Sequence, residues 1–379
     1  MSSSGPAASS PFTRAVVSAM RKIYPESLAD KSFDNTGLLL EAPFNPAQRQ
    51  RNSVLLTVDL TKAVANEAIQ RRDSVVVAYH PIIFRGLKSL TLNDPQQQSL
   101  LRLAQEGISV YSPHTAVDAV PGGMADWLCD IVTGAITPRP SSSSTEPVPS
   151  SSSSSGSYSR PTYPQPQASS PTTDSSAIIP HTRSTIHPSP APVPEGFESA
   201  GMGRLVTFAT PQPLTSLIDR IGAAIGNPAG FPVAVPQSTT VDSMQIRTVG
   251  VCPGSGASVL LKGSSNGTPL PDLLFTGEIS HHDALAAIER GSAVVALFHS
   301  NTERGYLHHV MREKLAQALR EEWDAARKEG IAALEESAKA GAQGRLVDGL
   351  EEAFRDPEVS VDVSLRDRDP YGIVIRQGK

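Results

Sequence analysis

Hydrophobic and polar positions alternate between short apolar runs and longer stretches with helical spacing. The apolar runs lie at 53–59, 75–79 and 108–111, and again at 204–209, 246–251, 272–275 and 293–298. Runs of this length, bounded by turn formers, predict buried strands. The stretches 62–72, 95–106, 123–131, 214–225, 255–261 and 282–290 between and after them predict helices. This alternation predicts an α/β fold of parallel βαβ units with right-handed crossovers. From 306 to about 354 the chain reads as helical, with breaks at Gly330, Gly341 and Gly344. Leu315, Leu319 and Trp323 mark its packed face. Segments 359–363 and 371–375 read as closing strands.

One long stretch breaks the pattern. Residues 137–195 are rich in Ser, Pro and Thr, with an unbroken serine run at 150–155. So little apolar content cannot offset the entropy of ordering the chain, which predicts a disordered insert. His181 and His187 fall inside it and are left out of any site. The insert separates a first half, 12–136, from a second, 196–379. Their like organisation suggests an internal duplication.

Several strands run directly into histidines. In Ala293-Val-Val-Ala-Leu-Phe-His299-Ser-Asn-Thr-Glu303, the acid follows the histidine by four residues, the spacing that puts both on one side of a helical start. Strand 75–79 ends at His80-Pro81, and strand 108–111 leads to His114-Thr-Ala-Val-Asp118. Sites in open α/β sheets form at the carboxyl ends of strands, where His80, His114, Glu278 and His299 all fall. Imidazole with carboxylate is a donor set for a divalent metal, and a metal site is the leading reading.

Three further clusters carry weaker signals. In Thr276-Gly-Glu278-Ile-Ser-His281-His282, neighbouring helical side chains diverge by about 100°, so one of the two histidines is expected to face the site. Asp34-Asn-Thr-Gly37 reads as a turn, or as a cleft lining through Asp34 and Asn35. Val249-Gly-Val-Cys-Pro-Gly254-Ser-Gly256 is either a tight turn or a loop offering N–H groups to phosphate.

Composition narrows the classes. With 379 residues, a net charge of −5 and 19% charged residues, the chain has no basic stripe and gives no electrostatic case for nucleic acid. No apolar run approaches the roughly 20 residues that span a bilayer. Cys129 and Cys252 lack metal-finger spacing and read as core residues in a reducing compartment. Cytoplasm is the default. The Ser/Ala/Pro-rich start, followed by Arg14, Arg21 and Lys22, leaves the mitochondrion as second choice. Neither cysteine sits near a plausible base, so covalent catalysis through a thiol has little support.

Taken in order, Asp34-Asn-Thr-Gly37, Tyr79-His80-Pro81-Ile-Ile-Phe84, His114-Thr-Ala-Val-Asp118, the Gly254-Ser-Gly256 loop, Thr276-Gly-Glu-Ile-Ser-His-His282 and His299-Ser-Asn-Thr-Glu303 resemble the NIF-three-like family. That family is NGG-one-interacting factor three, also called GTP cyclohydrolase 1 type 2-like. The resemblance implies two similar, intertwined three-layer α/β/α domains, assembled as a hexameric homo-oligomer. It also implies a pair of divalent metals in a cleft, with His80, Asp118, His299 and Glu303 as ligands. The family's ligand motif has a first histidine where Tyr79 stands here. One metal is then a ligand short, unless the phenol, His114 or water takes its place. Zn, Mn, Fe and Ni all suit this donor set. The family's name implies hydrolytic attack on a purine nucleotide, though the same site could equally cleave a phosphoester. Glu303 and His114, the latter not a family ligand but a natural proton shuttle, are the candidate catalytic residues. A metal-binding scaffold that contacts other proteins is the alternative.

Overall fold

In a computed structural model, residues 9–46, 49–136, 161–163, 178–261, 269–339 and 345–376 are described. They form two compact α/β units. One comprises residues up to 120, 191–198 and 310–367; the other comprises 121–190, 199–309 and 368–379. The division does not follow the chain's two halves, because the long C-terminal helices and the last strand belong with the N-terminal segment.

The first unit contains α1 (Pro11–Ile23), β1 (Gly37–Leu40), β2 (Arg51–Thr57), α2 (Lys62–Arg71), β3 (Asp73–Ala78), α3 (Pro95–Gln105), β4 (Ser109–Ser112) and α4 (Thr115–Ala119). Its sheet has the order β1-β4-β3-β2-β11, where β11 is Ser360–Val363. β4, β3, β2 and β11 are parallel, and β1 pairs antiparallel at the edge. Alternate strand residues face opposite sides. Leu55, Val76, Ala78 and Val110 pack with Val64, Ala65, Ala68 and Leu103 of α2 and α3. On the other face, Thr13 of α1 donates to the Ser109 hydroxyl. There α1 lies along the later helix Arg312–Lys339, and Phe12 meets Trp323 edge-on at 5.3 Å. Trp323 is fully buried and donates its indole N–H to the Asp356 carbonyl at 2.9 Å. Truncating a core aromatic of this kind costs about 3–5 kcal/mol.

The second unit holds α5 (Met124–Thr133), β5 (His181–Pro188), β6 (Gly201–Pro213), α6 (Leu214–Ala224), β7 (Val233–Ala234), β8 (Gln245–Ser255), α7 (Ala257–Leu260), β9 (Leu273–Glu278), α8 (His281–Glu289), β10 (Ala293–Ala296) and the short α9 (Arg304–Tyr306). Its sheet runs β5-β6-β8-β9-β10-β7. Cys252, Leu260, Leu274, Ala287 and Val294 form the core beneath α7 and α8, while α5 and α6 pack elsewhere on the sheet. The remaining helices, α10 (Arg312–Lys339) and α11 (Arg345–Arg355), complete the first unit.

Three expectations are corrected. Residues 181–188 of the expected insert form β5, paired along its length with β6, so order resumes before residue 195. Backbone pairing, and Arg183 bonded to Asp126 and Asp130 at 3.1 and 2.6 Å, hold this strand in place of apolar content. Next, β6 and β8 are antiparallel, because the chain after α6 visits the opposite edge as β7 before it returns. Finally, 371–375 is not a strand; it makes one isolated bridge, Ile373 to Thr162. Of the expected insert, residues 137–160 and 164–177 lie outside the described residues.

Candidate functional site

In the first unit, three adjacent parallel strands, β4, β3 and β2, bring polar residues to their carboxyl ends. His80 follows β3, and its Nδ1 lies 2.9 Å from Oδ1 of Asp59, which follows β2. A carboxylate only accepts, so Nδ1 carries the proton and Nε2 is left with its lone pair in the neutral ring. His114 follows β4, and its Nδ1 likewise donates to a carboxylate, Asp34 Oδ1, at 2.6 Å. Asp34 also accepts from the Thr115 N–H at 3.2 Å and from the Thr115 hydroxyl, so it caps α4. Burial works to raise the Asp34 carboxyl. The bond and charge from His114, with the Thr115 bonds, outweigh it and hold the group below its ordinary value.

His114 has φ 35° and ψ −123°, a backbone region that an L residue rarely adopts. Such strain costs about 1–3 kcal/mol and persists only where neighbours over-determine it. The Asp34 bonds supply that determination. One turn into α4, Asp118 is buried, and both of its oxygens accept from the Tyr79 hydroxyl, at 2.8 and 2.9 Å. Tyr79, where the family motif has a histidine, is therefore a hydrogen-bond donor to one of the expected ligands.

The second unit repeats the arrangement on β8, β9 and β10, also adjacent and parallel. His299 follows β10, with Nδ1 3.0 Å from Oε1 of Glu278 at the end of β9. Its Nε2 lies 3.4 Å from Oε1 of Glu303, whose side chain is 1% exposed. A single 3-10 turn, His299–Thr302, sets this spacing. Gly254, at the end of β8, has φ +57°, and a Cβ there would come within 2.7 Å of Glu303 Oε1 and 2.9 Å of His299 Nε2. Any side chain at this position would occupy the space between the two donors.

The Gly254 loop serves packing. Its N–H donates to the Thr302 hydroxyl at 2.9 Å and its carbonyl accepts from Thr276 at 3.0 Å, so that N–H is not offered to an anion. His281 and His282 are both exposed on the first turn of α8, their rings 5.2 Å apart and edge-on. Sequence reasoning missed the role of Asp59 and left Glu278 only as an edge residue. Both carboxylates end strands adjacent to the histidine's own, a signal that needs the strand order. Cys129 is buried, which pushes its thiol up to about 12 and leaves it chemically quiet.

The fold and site together define a class: α/β units that set histidine and carboxylate at the carboxyl ends of parallel strands. A family profile described as Duf34/NIF3 (NGG1p interacting factor 3) matches residues 13–329, and the chain belongs to that family. It is 41% identical over 304 residues to the protein NIF3 homolog of Schizosaccharomyces pombe, covering 80% of this chain and 88% of that one. It is 34% identical over 302 residues to NGG1-interacting factor 3 of Saccharomyces cerevisiae, covering 78% and 88%. The solved structure of a Bacillus cereus protein related to NIF3 shares the fold, with a TM-score of 0.58 at 17% identity over 95% of this chain and 98% of that one.

Proposed function

We propose that the chain binds divalent metal ions through His80, Asp118, His299 and Glu303 and uses them to hydrolyse a nucleotide-like substrate. One observation carries the reading. In each unit, a strand-end histidine has Nδ1 held by a carboxylate, His80 by Asp59 and His299 by Glu278. That is the arrangement which fixes the tautomer and raises the basicity of a metal-binding imidazole. Nitrogen and carboxylate donors fit Zn, Mn, Fe or Ni, and no thiolate takes part. When bound, such ions supply Lewis acidity and a lowered pKa for water.

The chain's own residues supply the rest. Asp118 is oriented by Tyr79, and Glu303 is a buried carboxylate able to take a proton beside His299. His114, fixed by Asp34, keeps Nε2 for proton transfer to or from substrate. The test is a turnover panel of nucleotides and phosphoesters with each metal in turn. Wild type is expected to hydrolyse at least one compound in a metal-dependent way, and Glu303→Ala at least about a hundredfold more slowly. Equal rates in the two proteins, or none with any metal, would overturn the hydrolase.

A second reading, a metal-binding scaffold that contacts other proteins, is favoured by the name of the Saccharomyces cerevisiae relative, which describes an interaction with NGG1. Assembly as a homo-oligomer, a cytoplasmic or mitochondrial setting, and a pair of ions per chain belong to the same proposal.

A further inference from the structure

Beside His114 the first unit exposes two large aromatic side chains with no catalytic role assigned above. Phe33, in the turn before Asp34, is 52% exposed, and Phe84, just after Ile83, is 45% exposed. Their ring centroids lie 6.2 Å apart with planes tilted by 42°. Each ring also meets the His114 imidazole nearly at right angles, at 6.4 and 6.3 Å. The two loops are tied together, because the Asn35 side-chain amide donates to the Ile83 carbonyl. Exposed phenylalanines come singly on most surfaces; here two are held in register with a histidine whose tautomer is already set.

The spacing decides how they could be used. Rings 6.2 Å apart and tilted leave no room for a third ring between them, so any partner stacks on their outer faces. Next to Phe84, Arg85 is exposed and makes no ion pair among the described residues, and Lys88 follows in the same exposed loop. Apolar faces beside uncommitted cations fit a flat ring that carries an anionic group.

We propose that Phe33 and Phe84 form a stacking platform for the base of a phosphate-bearing nucleotide, with Arg85 drawing the phosphate and His114 Nε2 at the ring edge. The inference rests on the nucleotide-like substrate proposed above and assigns the residues that recognise its ring. Stacking of a base on an aromatic side chain is sequence-tolerant, so this platform selects for flatness rather than for one base.

The experiment uses the full chain with its metal content measured first. Guanosine 5′-monophosphate, guanosine and ribose 5-phosphate are titrated into wild type, Phe33→Leu, Phe84→Leu, Phe84→Tyr and Arg85→Gln. The leucines keep an apolar side chain and remove the ring, while tyrosine keeps the ring. The nucleotide is expected to bind about tenfold or more weakly to each leucine variant and near wild-type strength to Phe84→Tyr. Guanosine should feel the leucines but not Arg85→Gln; ribose 5-phosphate should do the reverse. All four Phe33, Phe84 and Arg85 variants should keep the metal content of wild type, so loss of the metal reading and loss of this one are told apart. Equal nucleotide affinity in wild type and both leucine variants would overturn the platform. So would a change of oligomeric state in those variants with nucleotide affinity unchanged, which would make the rings a subunit contact.

Discussion

Asp34 sits with its side chain fully buried, and burial alone would raise its carboxyl above the ordinary value of 3.8. Its bonds to His114 and Thr115 reverse that, so the folded-state value lies below the unfolded one. A carboxyl lowered on folding contributes stability that is present in full above the unfolded value and is lost as pH falls through the folded value. Asp34→Asn is therefore expected to be less stable than wild type at neutral pH, by on the order of 2 kcal/mol. The gap should narrow as pH falls below about 3.8. Urea unfolding of both proteins between neutral and acid pH checks this; a gap that stays constant, or widens in acid, would contradict it. At this scale the sequence exposes the donors but not their partners. His80, His114 and His299 stand out because each follows an apolar run. Asp59 and Glu278 gain their roles only once β2 lies beside β3 and β9 beside β10.

Among the elements, β3, β9 and β10 were legible because both faces are covered, which makes them continuous apolar runs. β5 was not. Its sequence, His-Thr-Arg-Ser-Thr-Ile-His-Pro, offers Ile186 as its one strongly apolar residue, and that side chain packs at the margin of the α7–α8 core. The strand is defined by its partner, since β6 supplies a register from Phe208 to Gly201 against which it pairs. As an edge strand in an antiparallel pair, β5 directs only every second N–H at β6. Hydrogen exchange across 181–188 is expected to show protection at alternate amides. Uniformly fast exchange would contradict the strand. β11 illustrates a different limit. It reads as a strand from its own residues, but its pairing with β2 joins segments too far apart along the chain for local pattern to predict.

Over the whole molecule, the chain leaves each unit and returns to it, which agrees with the intertwined α/β architecture expected from the ordered motifs. Among the described residues no helix is long and apolar enough to cross a membrane. Each unit sets a histidine held by a carboxylate at the ends of adjacent parallel strands, and this recurrence is where the duplication shows most plainly. The boundaries of the units were not legible, because α10, α11 and β11 are assigned by packing against α1 and β2 rather than by their place in the chain. The central claim, that these groups bind metal, is tested most directly by counting. The native protein, purified without added metal or chelator, is measured by mass spectrometry beside His80→Ala and His299→Ala. About two transition-metal ions per chain, reduced in both variants while each stays folded, is the predicted result. No metal in the wild type, even after reconstitution with Zn, Mn, Fe or Ni, would contradict it.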